Sequence, residues 1–379
     1  MLANGPDIGQ DETVDFDGEQ WLAGLHGSER EQRRKLLRLL ADDGFSEQEL
    51  QVAVAENRLA LLPVDRMLGG THSAREIEQR SGLPADVLVR MRRLVGLAEP
   101  GVDERVFSEV DIEAARSTKL FLDAGFSEDA IIEITAVLGE GMARLAATIT
   151  AAFLQTFLRK GDSEEDVALR FAELAEQLTP ATEPILVSGF NAHLRDAVRR
   201  GMLGRRELAT GEPPAEQQLC ICFADLVGFT RLGSEVAVGE VGSVAGRLAR
   251  LAADTVRPPV RLIKTIGDAA MFVSPEQAPI VAVALDLVDV VAAEDLPSLR
   301  AGIGFGSVTL RAGDYFGNTV NVASRVTGAA RPGSVLCTAE VRDACPDEFD
   351  WSFAGRHRLK GVSGPTPLYR ARRLRAGRR

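Results

Sequence analysis

Apolar and polar positions change rhythm once along this chain. Up to about residue 210 apolar residues recur at helical spacing, and helix start signals repeat between them. Ser46-Glu47-Gln48-Glu49 and Ser73-Ala74-Arg75-Glu76 each fit a capping box, in which hydroxyl and carboxylate satisfy each other's orphan amides. Ser127, followed by Glu128 and Asp129, is a third N-cap, with carboxylates where the helix dipole favours them. Between Arg144 and Arg159 the run LAATITAAFLQTFL carries no charge. It falls short of the ~20 residues of a spanning helix, so no membrane span is expected and a helix buried in a protein core is. The N-terminus has neither a basic n-region nor an apolar h-region, so no secretory signal is expected.

Gly211-Glu212-Pro213-Pro214 breaks an arginine-rich, helix-compatible stretch and is the strongest boundary signal in the chain. Beyond it, runs of strand character (LCICFADL, VRLIKTIGDAAMFVS, LRAGIGFGSVTL, SVLCTAEV, WSFAGRHRLKGV) alternate with helical stretches (VGSVAGRLARLAADTV, PIVAVALDLVDVVAAEDL, NTVNVASRVTGAAR). That mixture predicts an α+β domain around one sheet. The expected organisation is an all-α domain over 1–190, a helical connector over 191–215, the α+β domain over 216–370, and a solvated basic tail over 371–379.

A length of 379 residues suits two or three domains, and 45% hydrophobic with 26% charged residues excludes disorder as the default. The net charge of −11 opposes non-specific binding to phosphate backbones. Four cysteines without a Cys-x-x-Cys argue against a disulfide framework or thiolate zinc site. Cys220 and Cys222 alternate along one strand and are read as small buried side chains of a reduced, cytoplasmic protein. Residues 71–115 have the shape of a helix-turn-helix with a short wing and resemble the corresponding part of MerR-type regulators. Their arginines, however, are interleaved with Glu76, Glu78, Glu99, Asp103, Glu104 and Glu109, whereas a groove-entering helix carries a basic footprint. Nucleic acid is therefore not the expected partner. A DNA-binding regulator with a vestigial catalytic domain is the alternative reading.

Three segments carry candidate chemistry. Asp225 ends LCICFA and opens DLVGFT; a carboxylate at a strand end before a helix start suits Mg²⁺ or Mn²⁺ beside a bound phosphate. In LIKTIGDAAMFVS, Gly267-Asp268 is a type I′ hairpin signal, and Lys264 stands in a strongly apolar strand where its ammonium needs a partner. In GDYFGNTVNVASR, Asn318 or Thr319 is expected to cap a helix through Val326. On it Asn321 and Arg325, four apart, share a face, with Asp314 just ahead.

Together DLVGFT, KTIGD and DYFGNTVNVASR resemble the class III nucleotidyl cyclases over roughly residues 216–370. The helical half is similar to the regulatory domain of soluble mycobacterial adenylyl cyclases that respond to pH. The resemblance implies a ferredoxin-like catalytic domain that converts ATP to 3′,5′-cyclic AMP and pyrophosphate. It implies Asp225 and Asp268 as ligands of two Mg²⁺ or Mn²⁺ ions per site, and Lys264 with Asp314 as the purine-reading pair. Adenine offers an acceptor at N1 and a donor at its N6 amine, which a Lys and an Asp complement. Asn321 then orients the ribose, Arg325 stabilises charge on the transferring phosphoryl group, and Lys360, in RLKGV, holds the triphosphate. The metal aspartates and the remaining residues are expected from opposite subunits of a homodimer. The N-terminal domain is expected to inhibit at neutral or alkaline pH and release in acid, with His193 the first candidate among His26, His72, His193 and His357. The apolar helix at 145–158 would otherwise line a pocket for a small-molecule or lipid ligand. A diguanylate cyclase is excluded by the missing Gly-Gly-Asp/Glu-Glu-Phe signature.

Overall fold

Capping residues set the helix starts of the N-terminal half in the computed structural model, which describes residues 15–200, 216–229, 238–362 and 364–374. The chain divides into two units, 1–202 and 203–379. The expected boundary at 211–214 lies outside the described residues, as do Thr230 and residues 375–379.

The first unit is all helix: α1 (Glu19–Leu22), α2 (Ser28–Asp42), α3 (Glu47–Ala55), α4 (Leu62–Leu68), α5 (Ala74–Ser81), α6 (Ala85–Leu94), α7 (Glu109–Asp123), α8 (Glu128–Phe157) and α9 (Glu164–Arg200). Both predicted capping boxes form, and Ser127 accepts from the Ala130 amide. One apolar core gathers Trp21, Leu36, Leu40 and Leu50 with Ala168 of α9. A second gathers Ala74, Ile77, Leu83 and Ile112 around Phe107. The wing of the helix-turn-helix shape shrinks to one bridge, His72 to Phe107. Arginines on α5 and α6 already face acids: Arg75 with Asp103, Arg80 with Glu109, Arg90 with Glu128 and Arg93 with Glu99. Arg92 lies over the Phe107 ring.

The charge-free run at 145–158 departs from expectation. It is the second half of the 30-residue α8, and only Leu145, Phe153 and Phe157 in it reach half-burial. Phe153 packs edge-on against Phe171 of α9, but Ile149 and Leu158 are 47% and 55% exposed. Among the described residues, partners cover one side of this helix only. By length and composition alone α8 could cross a membrane, which the charge-free run by itself could not.

The second unit is α+β. Strands β1 (Gln217–Leu226), β2 (Arg261–Ile266), β3 (Ala269–Ser274), β4 (Leu299–Arg311), β6 (Val335–Thr338), β7 (Asp350–Arg358) and β8 (Pro365–Arg372) form a sheet in the order β2-β3-β1-β4-β6-β8-β7. The short β5 (Asp314–Phe316) pairs with β4. Helices α10 (Val238–Thr255), α11 (Gln277–Ala293), α12 (Asn318–Ala329) and α13 (Ala339–Ala344) complete it. Alternation along β1 divides the core. Cys220, Cys222 and Ala224 meet Ile280 and Leu287 of α11, while Leu219 and Ile221 share a cluster with Ala323 of α12. All four cysteines are buried and free, and burial pushes the Cys220 thiol up to about 12, so it stays protonated and inert.

Local details differ from expectation in four places. SVLCTAEV is not one strand: β6 ends at Thr338 and α13 begins at Ala339. Gly317, not Asn318 or Thr319, occupies the N-cap of α12, because the Thr319 hydroxyl donates instead to the Ser307 carbonyl at 2.9 Å. In the β2–β3 turn only Gly267 has a positive φ, +57°, as a type II′ turn requires, whereas type I′ needs it at Asp268 as well. The basic tail is partly structured: β8 runs to Arg372, and Arg373 pairs with Asp286 and Asp289 on α11.

Candidate active site

Sheet register assembles the acidic end of the site. Asp225, near the end of β1, stands opposite Ala269 on β3 and opposite Arg300 on β4. Asp268 precedes Ala269 in the hairpin turn, and its carbonyl accepts from the Leu226 amide at 3.1 Å. The two carboxylates therefore lie side by side. Burial, followed by the charge of Asp225, pushes the Asp268 carboxyl above the ordinary carboxylate range. Arg300 donates to Asp225 Oδ2 from Nη2 at 2.7 Å and Nε at 3.1 Å, and from Nη1 to the Gly328 carbonyl on α12 at 3.3 Å. Arg300 escaped sequence reasoning; its signal is a guanidinium at the start of an otherwise apolar strand, which becomes meaningful only through its cross-strand neighbour.

Two adjacent carboxylates with crowded charge have the donor chemistry of a Mg²⁺ or Mn²⁺ site, since such ions use one or two carboxylates and complete their shell with water and phosphate. Among the described residues no cluster of three or more His, Cys, Asp or Glu competes for that role.

Lys264 and Asp314 meet directly. The ammonium donates to Asp314 Oδ2, whose other oxygen accepts from the Tyr315 amide at 2.9 Å. Next to them Arg261 donates to the Tyr315 hydroxyl at 2.6 Å. Lys264 thus has the partner its apolar strand demanded, about a third of each side chain remaining exposed (32% and 30%).

Helix α12 carries Asn321, exposed, and Arg325, half-buried. It lies against the backbone of β4: a Cβ added at Gly302 would stand 2.1 Å from the Thr327 amide nitrogen. The Thr327 hydroxyl donates to the Ala323 carbonyl at 2.9 Å and reaches the Phe223 carbonyl on β1 at 3.2 Å. That contact fixes the rise of α12 over the sheet. Arg325 extends to the turn after β7, where its guanidinium nitrogens would lie 3.6 Å from a Cβ at Gly361, next to Lys360. The structure so brings the predicted residues into three groups: Asp225 with Asp268, Lys264 with Asp314, and Arg325 beside the Lys360–Gly361 turn. Asn321 stands on the Arg325 helix one turn earlier.

The family model "Adenylate cyclase regulatory domain" matches residues 14–198, and "Adenylate and Guanylate cyclase catalytic domain" matches 212–370. The chain is 40% identical to the "pH-sensitive adenylate cyclase MT1302" of Mycobacterium tuberculosis (strain CDC 1551 / Oshkosh), over 96% of this chain and 93% of that protein. It belongs to the class III adenylate cyclases. An adenylate cyclase of Streptomyces griseus is 32% identical over 68% of this chain and 64% of its own. The crystal structure of the adenylyl cyclase CyaB from P. aeruginosa matches with a TM-score of 0.38 at 21% identity, covering 42% of this chain and 96% of that one. The N-terminal unit is accordingly a cyclase regulatory domain, and the α+β unit a cyclase catalytic domain.

Proposed function

We propose that this cyclase closes ATP to 3′,5′-cyclic AMP at two equivalent sites, each shared between the chains of a homodimer. The observation that carries the reading is the register that sets Asp225 beside both Asp268 and Arg300 while Lys264 and Asp314 face each other elsewhere in the same unit. The ribose 3′-hydroxyl gives its proton to solvent as its oxygen forms a bond to the α-phosphorus, the bond to the bridging oxygen breaks, and pyrophosphate departs with its electron pair. Bound at Asp225 and Asp268, two Mg²⁺ or Mn²⁺ ions would acidify the hydroxyl and neutralise phosphate charge. Lys264 donates to adenine N1 and Asp314 accepts from its N6 amine. Asn321 orients the ribose, Arg325 opposes the charge growing on the phosphoryl group, and Lys360 holds the β- and γ-phosphates. Mixing Asp225→Ala and Arg325→Ala chains is expected to restore cyclic AMP formation from ATP and Mn²⁺ that neither supports alone. No recovery would refute shared sites.

The exposed apolar side of α8 supports the dimer: Met142 and Ile149 are bare, and a second chain is the occupant we favour. For a small-molecule or lipid ligand of the N-terminal domain we favour a setting different from the one expected. An apolar pocket of about 410 Å³ lies between α6, α7 and α8, lined by Met91, Phe121, Ile134 and Leu138 rather than by residues 145–158.

For control by pH we favour His72 over His193, which lies exposed on α9. His72 Nε2 is 3.0 Å from Glu109 and its Nδ1 3.5 Å from Glu76, and the same carboxylates hold Arg80 and Arg105. His72→Gln is expected to flatten the pH profile of the full chain, and an unchanged profile would remove His72 from the account. Four of the five arginines of α5 and α6 are bound to acids of their own unit and the fifth, Arg92, lies over Phe107, which disfavours the DNA-binding alternative.

A further inference from the structure

A polar pocket in the catalytic unit lies between the end of α12 and the β6–β8–β7 part of the sheet, with a volume of about 300 Å³. Register makes its floor. Leu336, Arg370 and Ser352 are direct neighbours across β6, β8 and β7, so their side chains rise from one face. Ala329 closes it from α12, and Arg331 and His357 complete the wall. Among the described residues the lining holds two guanidinium groups and an imidazole, and no carboxylate. Among the described residues neither Arg331 nor Arg370 forms an ion pair. Nε of Arg370 is buried with no hydrogen-bond partner among the described residues.

A buried guanidinium N–H without an acceptor is costly, and its planar fork matches the oxygens of a phosphate. The Ala354 carbonyl, 3.1 Å from Nε2, fixes the His357 ring in the pocket wall. We propose that this pocket binds a phosphate group: Arg370 and Arg331 neutralise it and the Ser352 hydroxyl donates to it. None of the seven residues assigned to ATP and its metals lines the pocket. Ala329 is one helical turn beyond Arg325, so an occupant rests against the end of the helix that carries Arg325. The inference stands on the pocket and does not require the cyclase reading.

The test is calorimetric titration of the full chain, free of nucleotide and with divalent metal chelated, using inorganic phosphate and separately glycerol 3-phosphate. One saturable site per chain is expected for at least one of them, and the tighter titrant shows whether the source is free phosphate or a monoester. Arg370→Gln should weaken it at least tenfold. Arg331→Gln, at an exposed residue outside the sheet, should weaken it as well and guards against a folding defect in the strand variant. Lys360→Ala should leave it intact. Failure of both titrants to saturate, or binding untouched by both arginine variants, would overturn the proposal. So would binding lost in Lys360→Ala alone, which places the anion in the catalytic cleft. A chain inactive on ATP that still binds phosphate through Arg370 leaves this inference standing.

Discussion

Arg300 holds Asp225 by two bonds to a single carboxylate oxygen and, through its third nitrogen, reaches the Gly328 carbonyl on the helix that bears Arg325. One guanidinium so ties the strand end carrying a metal-ligand candidate to the helix carrying the transition-state candidate. A partner that orients a ligating carboxylate is worth about 10–100-fold in metal affinity or activity. Arg300→Ala is expected to lose that much cyclic AMP formation, with a raised Mn²⁺ requirement as its signature. Unchanged Mn²⁺ dependence would mean that Arg300 does not act through Asp225.

Asp268 yields a pH prediction. Its carboxyl lies above the ordinary range, so the folded chain binds this proton more tightly than the unfolded chain. The resulting stability is complete below the unfolded pKa and is lost as pH rises through the folded value; at neutral pH the ionised pair costs stability. A divalent cation removes that cost. Mn²⁺ should raise Tm at pH 7 by at least about 2 °C, an effect that shrinks as pH falls toward the Asp268 pKa. Asp268→Asn should raise the metal-free Tm at pH 7 and abolish the response. An equal Mn²⁺ shift in that variant would locate the ion elsewhere.

Gly361 has φ +73°, and its Cα faces the guanidinium of Arg325. Gly361→Ala should cost about 1–2 kcal/mol through left-handed strain and crowd Arg325 as well. The expected result is a lower kcat with little change in KM for ATP. Arg325→Ala itself should lower kcat by about 10²–10³. Wild-type kcat in Gly361→Ala would show that the turn does not position Arg325.

Lys264 and Asp314 present a donor and an acceptor, the complement of adenine. Guanine reverses the pattern, so Lys264→Glu with Asp314→Asn should reduce kcat/KM for ATP by at least about 10² relative to that for GTP. An unaltered ATP-to-GTP ratio would detach the pair from purine selection.

The bare face of α8 predicts association. Ile149, 47% exposed, replaced by Asp should weaken the dimer in sedimentation equilibrium without lowering Tm. Co-sedimentation of the wild-type chain with lipid vesicles, lost in Ile149→Asp, would instead assign that face to a bilayer.

Much of the fold was legible in local pattern because its determinants are local. Caps at Ser46, Ser73 and Ser127, alternation through LCICFADL, and turn chemistry at Gly267 all act within a few residues. The same holds for the candidate residues: a carboxylate closing a strand, a lysine in an apolar run, and an Asn and an Arg four apart on a helix. Tertiary structure decided what strand register and packing bring together. Arg300 matters only because β4 lies antiparallel to β1 with Asp225 opposite, and α12 sits close only because Gly302 leaves it room. The charge-free run of α8 shows the converse. Its composition is apolar whatever surrounds it, but whether it is buried depends on how many neighbours reach it, and hydrophobicity along a chain does not count neighbours.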